Sequence, residues 1–158
     1  MMKKAWTSVV SGLLLAAGTA MAAPNLEIIA TNLDNPRGLA FGPDDALYVT
    51  EAGKGGEGPC VIGAENQDAC LGTSGAITRI FQGNQERIVT GLPSLASKDG
   101  SRSSGPQSIV FTSQGAYFLV GLGLDPIART DPQKLGNAGG ENLGQLVYMP
   151  LNGSPQNW

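Results

Sequence analysis

The feature of this 158-residue chain that most limits its fold is an internal repeat. The segment at residues 36–50 returns, 70 positions later, as residues 106–120. Two further pairs of similar segments, in the same order, are 29–33 with 88–92 and 75–80 with 144–149. Self-similarity on this scale is typical of architectures that use one small unit several times. The sequence therefore predicts a repeat fold.

Each repeat reads as a series of short antiparallel strands. In the first repeat the strand-like runs are residues 38–41, 46–51, 75–81 and 85–90. In the second they are residues 107–111, 116–120 and 144–149, with a fourth expected after Asn152-Gly153. Turn-forming residues separate neighbouring runs, notably Gly42-Pro43-Asp44-Asp45 and Gln82-Gly83-Asn84. We expect each repeat to form a four-stranded antiparallel sheet.

Residues 26–31 carry the pattern of a fourth strand, yet they precede the first complete repeat. An extra strand at the start and a missing strand at the end is the arrangement by which a circular array closes. Radially repeated four-stranded sheets form β-propellers. The sequence therefore predicts an all-β fold, a partial β-propeller of about two four-stranded antiparallel blades and an N-terminal closing strand.

The chain is too short for a closed propeller, which has about 4–8 blades. One explanation is that the sequence is the N-terminal part of a longer protein, with the propeller domain truncated at its C-terminal end. The other is that several copies assemble. In both cases the isolated chain exposes strand edges and part of its core, so we expect it to aggregate.

The first 22 residues have the pattern of a secretory signal peptide. Lys3 and Lys4 precede a short apolar run at residues 9–17, and Ala20-Met21-Ala22 offers small residues for cleavage. The apolar run is shorter than the roughly 20 residues that a membrane-spanning helix needs. We predict cleavage near Ala22 and a mature propeller domain at residues 23–158. The location is then extracytoplasmic, periplasmic or secreted, with no membrane span in the mature chain.

The chain has two cysteines, Cys60 and Cys70. In an oxidising compartment such a pair commonly forms a disulfide that closes a surface loop. A metal site is disfavoured, because there is no Cys-x-x-Cys spacing and the chain has no histidine. We therefore predict a disulfide between Cys60 and Cys70.

Charge and the lack of histidine argue against several functions. Removing Lys3 and Lys4 takes the formal net charge from −3 to −5, so we expect no nucleic acid partner. Without histidine the chain offers no imidazole base and no Ser-His pair. This disfavours hydrolase and quinoprotein chemistry within the sequence. We identify no catalytic and no cofactor-binding residue.

Long polar connections between the predicted strands are the candidate binding regions. Loops on a rigid scaffold commonly carry binding sites, although neutral surface variation is the alternative. In the last of them, Asp125, Arg129 and Asp131 are interpreted as an ordinary charged loop. The connections, rich in Gly, Ser, Asn and Asp, are residues 52–74, 93–105 and 122–142.

Glu51 is the carboxylate that we single out, because it ends a predicted strand at the mouth of a long connection. With Asp44 or Asp45 as further ligands it is a candidate for binding a cation such as Ca²⁺. That ion needs about 6–8 oxygen ligands, and no EF-hand-like spacing is present. The alternative is a structural role, as a solvated strand-end acid or as a partner of Arg37 or Arg79.

Several ordered segments resemble the ScyD/ScyE family of exported propeller-like proteins. They are residues 32–44, 47–53, 58–60, 75–79, 86–96 and 121–123. The resemblance implies a secreted or periplasmic NHL-like propeller, from a family associated with a cyanobacterial sunscreen pigment cluster and without an established catalytic set. The sequence departs from the family at Asp45, where glycine would suit the turn, and in ending where members continue through several more blades.

Residues 36–41 and 47–51 also resemble the first blade of quinone-dependent sugar dehydrogenases and of lactonase-like propellers. This motif mainly encodes packing, so it supports the fold better than any activity. Three hypotheses follow. The first is a non-enzymatic exported propeller that binds an unknown small molecule or protein through its inter-strand loops. The second is the N-terminal part of a propeller enzyme of the dehydrogenase or lactonase type, and the third is a truncated gene product without function. We favour the first.

Overall fold

The structure is a computed structural model that describes residues 25–150 and 156–157. Over these residues the fold is all-β, as predicted, with one 3₁₀ turn at Gly140–Asn142. In the described ranges no helix is long and apolar enough to cross a membrane. The predicted signal peptide at residues 1–22 lies outside the described residues. The strands are β1 (Pro36–Phe41), β2 (Leu47–Glu51), β3 (Cys60–Ile62), β4 (Asp68–Phe81), β5 (Asn84–Ala96), β6 (Pro106–Phe111), β7 (Gly115–Val120), β8 (Leu146–Pro150) and β9 (Gln156–Asn157).

The strands form two sheets that follow the two repeats. The first repeat gives the order β1-β2-β4-β5-β9, with β3 beside part of β4. The second repeat gives the order β6-β7-β8. All neighbours are antiparallel except β9, which runs parallel to β5. The predicted antiparallel character is confirmed, and neither sheet closes on itself within the described chain.

The two repeats share their register as well as their strand order. The pairing of β1 with β2 shifts between Pro36 and Leu39, and the pairing of β6 with β7 shifts between Pro106 and Ser108. A bulge at the same place bends the first strand of each repeat. The repeat in the sequence is therefore also a repeat in the backbone, except that the β6–β7 turn is one residue shorter than the β1–β2 turn. Ala40 pairs with Tyr48, whereas Val110 pairs with Tyr117 and not with Phe118, the residue that the 70-position spacing aligns with Tyr48.

Turn residues set the two predicted hairpins of the first repeat, β1–β2 and β4–β5. Asp45 adopts the left-handed conformation (φ 58°) in the β1–β2 turn, at the position where glycine was expected to suit. Aspartate is one of the few residues that occupy this region readily. Gln82 and Gly83 both have positive φ, 49° and 79°, and join β4 to β5. Two such residues twist the chain in the sense that antiparallel strands require.

One repeat packs face to face on the other. Each sheet has two faces: we call the face that carries Ile109 and Phe111 in the second repeat the leading face, and the face that carries Tyr48 in the first repeat the trailing face. The leading face of the second repeat packs on the trailing face of the first. The Tyr48 and Phe111 ring centroids are 4.6 Å apart in a tilted contact. At Gly38 the two backbones come so close that a Cβ would lie 2.8 Å from the Gln107 carbonyl oxygen. The main core lies between the repeats.

Two expectations about outer strands are wrong. Residues 26–31 form no strand, because no described strand pairs with them. Instead the segment ends beside the first repeat, where Gln85 Nε2 donates to the Thr31 carbonyl oxygen (2.8 Å) and Thr31 N–H donates to Gln85 Oε1 (3.2 Å). The strand expected beside β8 is β9, which pairs with β5. The turn expected at Asn152-Gly153 lies outside the described residues.

The predicted disulfide between Cys60 and Cys70 is confirmed. It lies in a hairpin that the sequence did not predict, because β4 begins at Asp68 and pairs there with β3. The two cysteines are directly opposite each other in this pairing, with their Cα atoms 3.9 Å apart. The bond therefore fastens the short strand β3 to the main sheet.

Removing this disulfide is expected to lower the free energy of unfolding by about 2–3 kcal/mol, because the unfolded chain loses a closed loop. The variant is Cys60→Ser with Cys70→Ala, since Cys70 is buried and tolerates a hydroxyl poorly. Urea unfolding with and without a thiol reductant measures the effect. The reductant should destabilise the natural chain and leave the double variant unchanged; equal responses would contradict the prediction.

Candidate functional site

The long connections meet at one end of the two sheets. The β3–β4 turn contacts the β7–β8 connection, where the Ala64 N–H donates to the Gly123 carbonyl oxygen (3.0 Å). The β5–β6 connection joins them, since the Gly121 N–H donates to the Gly105 carbonyl oxygen (2.7 Å). Segments that are distant in the sequence therefore form one continuous surface.

A polar cleft of about 240 Å³ opens at this junction. It lies where β1 and β6, the adjoining first strands of the two repeats, begin. The residues that give it polar character come from both repeats and from the first two connections, and the third connection adds Gly123 to the lining. The polar residues are Arg37, Glu65, Gln67, Arg102, Ser104 and Gln107. The cleft is the feature of the described chain that most resembles a ligand site, because polar groups converge there from separate elements.

Two arginines bring positive charge to the cleft. Arg37, near the start of β1, donates from Nη2 to the Ser103 carbonyl oxygen at 2.6 Å. Arg102 lies in the β5–β6 connection with φ 51°, and its Nε is 2.8 Å from Glu65 Oε2. A guanidinium has five N–H donors and stays charged throughout the physiological pH range. The arginines can therefore bind a carboxylate or another small anion.

Gln67 adds an amide side chain to the lining of the same cleft. Its Oε1 atom is buried and has no hydrogen-bond partner within residues 25–150, which costs about 1–3 kcal/mol. An amide group can both donate and accept hydrogen bonds, so the cleft suits a molecule with both an anionic group and a hydroxyl or amide group.

Serine hydroxyl groups hold the backbone beneath the cleft. Ser94 and Ser103 both donate to the Ala52 carbonyl oxygen, at 2.6 and 2.9 Å. Ser94 Oγ also accepts from the Gly55 N–H at 2.9 Å. Ser94 is fully buried, so these bonds form away from competing water. They join the connections after β2 and after β5 at fixed points, which preorganises the end of the sheet.

Glu51 is fully buried, and its carboxylate is surrounded by protein donors. Arg87 donates from Nε to Oε1 (3.0 Å) and from Nη2 to Oε2 (2.7 Å), which is the two-pronged pairing that arginine favours. The Thr78 hydroxyl and the Asp34 N–H also donate to it. The arginine that pairs with Glu51 is therefore one that the sequence did not suggest.

These contacts decide the charge of Glu51. Burial alone would raise the pKa of its carboxyl, but the hydrogen bonds from Arg87, the Asp34 N–H and Thr78 together lower that pKa below its ordinary value of 4.5. The bond to Glu51 in turn raises the pKa of Arg87. Both groups are ionised at neutral pH, and Glu51 is a buried structural anion.

Asp44 and Asp45 lie in the β1–β2 turn, at the opposite end of β2 from Glu51. Five residues of strand, at about 3.3 Å each, separate them by roughly 15 Å or more. Asp44 pairs with Arg79 (2.7 Å) and accepts from the Tyr48 hydroxyl (3.2 Å). The described residues contain no group of three or more Asp, Glu, His or Cys placed to hold a metal ion. The Ca²⁺ hypothesis stays a prediction, without a shared site for these acids.

The charged residues of the β7–β8 connection support its own fold. Asp125 and Asp131 each accept from a backbone N–H two residues further along. Arg129 donates from Nη1 to the Leu143 carbonyl oxygen at 3.0 Å. Leu135 and Leu143 are fully buried, so this connection has a small core. We find these charged residues in structural contacts, in agreement with their interpretation as an ordinary loop.

Searches against models of known protein families, curated proteins and solved structures find no match for this chain.

The cleft residues were not singled out as a binding site in the sequence. Arg37 sits in a motif that encodes packing. Arg102 and Gln67 lie in two of the long connections that were predicted as binding regions, but nothing in the sequence distinguishes them there.

Proposed function

We propose that the protein is an exported, ScyD/ScyE-like propeller protein that binds a ligand rather than transforming it. The ligand is a small anion with at least one hydrogen-bond donor, held in the cleft between the connections. The observation that carries this proposal is the convergence of Arg37, Arg102 and the Gln67 side chain in the lining of one cleft.

The chemistry of the cleft supports binding. Arginine forks recognise carboxylates through paired charge-assisted hydrogen bonds. The chain has no histidine, the side chain that most often transfers protons near neutral pH. In the cleft, Glu65 is exposed and close to Arg102. This arrangement favours reversible capture of an anion over proton transfer.

The architecture supports the propeller part of the proposal. Two repeats with the same strand order and equivalent bulges pack one on the next, as radially arranged blades do. Propellers commonly use the loops at one end of their sheets, and the candidate cleft lies at such an end. Export is supported by the N-terminal sequence pattern and by the disulfide, which is typical of oxidising compartments.

Calorimetric titration with D-gluconate tests this proposal, because gluconate carries one carboxylate and several hydroxyl donors. D-glucitol, which has the hydroxyl groups without the charge, is the control ligand. We expect Arg37→Gln to weaken gluconate binding about tenfold or more, the loss of one charge-assisted hydrogen bond. Lys134→Gln, which removes a positive charge outside the cleft lining, should bind like the natural chain.

Two results would overturn the proposal. One is that gluconate and glucitol bind equally, or that neither binds. The other is that Arg37→Gln and Lys134→Gln have the same affinity for gluconate, which would show that the cleft arginine plays no part. Raising the salt concentration should weaken the gluconate complex, since exposed ion pairs are screened.

A further inference from the structure

The packing between the two repeats leaves one copy of each packing face exposed. Within the chain, the trailing face of the first repeat meets the leading face of the second, with Tyr48 against Phe111. The leading face of the first repeat carries Leu39 and Phe41, at the positions equivalent to Ile109 and Phe111. Leu39 is 65% exposed and Phe41 is 71% exposed. The leading face of the first repeat therefore has the apolar residues that pack against a neighbouring repeat, but no described repeat packs on them.

The trailing face of the second repeat is exposed in the same way. Val110, Tyr117 and Tyr148 lie opposite one another across β6, β7 and β8, as Ala40, Tyr48 and Arg79 do in the first repeat. Val110 is 57% exposed, and the rings of Tyr117 and Tyr148 contact each other at 5.0 Å. By register, Tyr117 is the equivalent of Tyr48. An apolar face of this kind on a sheet usually marks an interaction surface.

The two exposed faces are complementary because their equivalents already bind each other inside the chain. The unpaired edge of β8 also points to a contact with a second copy. Residues 29–33 resemble part of β5, and β5 lies beside β4 in the first repeat. The strand equivalent to β4 in the second repeat is β8, which has a described neighbour only on its β7 side. Residues 26–31 are strand-like, but no described strand pairs with them. Leu26 is 89% exposed, and the backbone of Thr31 hydrogen-bonds to the Gln85 side chain.

We propose that a second copy of this chain docks head to tail on the first. Phe41 of one copy packs on Tyr117 of the other, as Phe111 packs on Tyr48 within the chain, and residues 26–31 of the first copy extend the sheet beside β8 of the second. A groove of about 550 Å³ lies between residues 27–29 and Phe41, with Leu47 and Phe81 also in its lining, and is open to receive the second copy. The inference rests on repeat packing and does not depend on the proposed ligand.

Such a contact is heterologous: each copy uses one face to bind the next copy and the other face to be bound. Assembly can then continue to a ring or a filament, whichever the rotation between copies allows. A symmetric dimer would instead bury the same face twice. This difference makes the proposal testable by mixing two defective chains.

Analytical ultracentrifugation of the full chain over a range of concentrations provides the test. The average mass of the natural chain should rise with concentration. Phe41→Glu blocks the leading face and Tyr117→Glu blocks the trailing face, so each variant alone should stay monomeric, with affinity reduced about tenfold or more. Mixed together they retain one intact face of each kind, and we expect a one-to-one dimer that grows no further. Val110→Glu serves in place of Tyr117→Glu if the latter is poorly folded.

Ile127→Glu is the matched control, because Ile127 is also exposed but lies outside both faces. It should assemble like the natural chain. A natural chain that is monomeric at every concentration, a single variant that still assembles normally, or a mixture that stays monomeric would each overturn the proposal.

The strand addition is tested separately by Ile28→Pro combined with Ile29→Pro. Consecutive N–H groups of a strand point to opposite sides, so one of these two would have to face β8, and proline has no N–H. The double variant should lose most of the assembly, while its thermal unfolding as a monomer is unchanged because residues 26–31 form no strand there. Unchanged assembly would overturn this part of the proposal.

Discussion

Replacing Phe118 by alanine is expected to lower the free energy of unfolding by about 3–5 kcal/mol, the range for truncating a buried aromatic side chain. Phe118 is 2% exposed and has the largest fully buried side chain among the described residues. It lies opposite Ile109 and Val147 in the second sheet, on the face that packs against the first repeat. The cavity would therefore open in the core shared by both repeats.

Leu119→Ala is the matched control for this variant. Leu119 is the next residue along β7, but it is 47% exposed on the opposite face, so we expect a loss of less than about 1 kcal/mol. Urea unfolding followed by far-ultraviolet circular dichroism, at a concentration low enough to keep the chain monomeric, measures both. Comparable losses for Phe118→Ala and Leu119→Ala would mean that the two side chains do not lie on opposite faces.

Replacing Arg87 by methionine is expected to cost about 3 kcal/mol of unfolding free energy at neutral pH. The substitution leaves the fully buried carboxylate of Glu51 with only Thr78 and the Asp34 N–H as donors, and an unpaired buried charge is expensive. Breaking a buried ion pair typically costs about 3–5 kcal/mol, and we expect the lower end of that range because the Arg87 side chain is itself 42% exposed. The double variant with Glu51→Gln should recover part of the loss, since no charge is then stranded.

The pH dependence identifies the cause of that loss. In the natural chain the pKa of Glu51 is lowered, so its contribution to stability is present above the ordinary value of 4.5 and is lost as the pH falls through the lowered pKa. In Arg87→Met the Arg87 contribution is lost and only Thr78 and the Asp34 N–H still oppose the effect of burial, so the pKa of Glu51 rises above that in the natural chain and protonation at low pH removes the poorly compensated charge. The deficit of the variant should shrink below about pH 4.5. A deficit that is independent of pH would point to lost packing instead.

The strands that the sequence predicted share clear local signals. The hairpin from β4 to β5 follows from Gln82-Gly83, and the β1–β2 hairpin from the turn that ends at Asp45. These features depend on a few adjacent residues, which is why their positions were predictable. The first part of β4 and the last part of β5 were missed because Gly72 and Pro93 interrupt the alternation. Their pairing is set by the disulfide hairpin on one side and by the neighbouring repeat on the other.

The partner of Glu51 could have been found from register. The Gln82-Gly83 turn places Arg87 opposite Thr78 on β4, and Thr78 in turn lies opposite Val49 on β2. Arg87 is therefore on the same face of the sheet as Glu51, which is two residues beyond Val49. Arg37 and Arg79 looked closer only along the chain. The cleft itself was out of reach, because it depends on how three connections fold over one another, and no local pattern encodes that contact.

The disulfide has one more consequence, which concerns where the chain can be active. The Cys60–Cys70 bond fastens β3 to β4, and the turn between these strands supplies Gln67 to the cleft. With both thiols reduced, β3 is held by its three-residue pairing with β4 and by noncovalent contacts of the β3–β4 turn, such as the bond from the Ala64 N–H to the Gly123 carbonyl oxygen. If the chain is exported, as proposed, the disulfide forms in the oxidising surroundings outside the cytoplasm and there fixes the part of the cleft that contains Gln67. The ligand binding proposed for the cleft would then be strong only after export, and the newly made, reduced chain would bind metabolites inside the cell weakly.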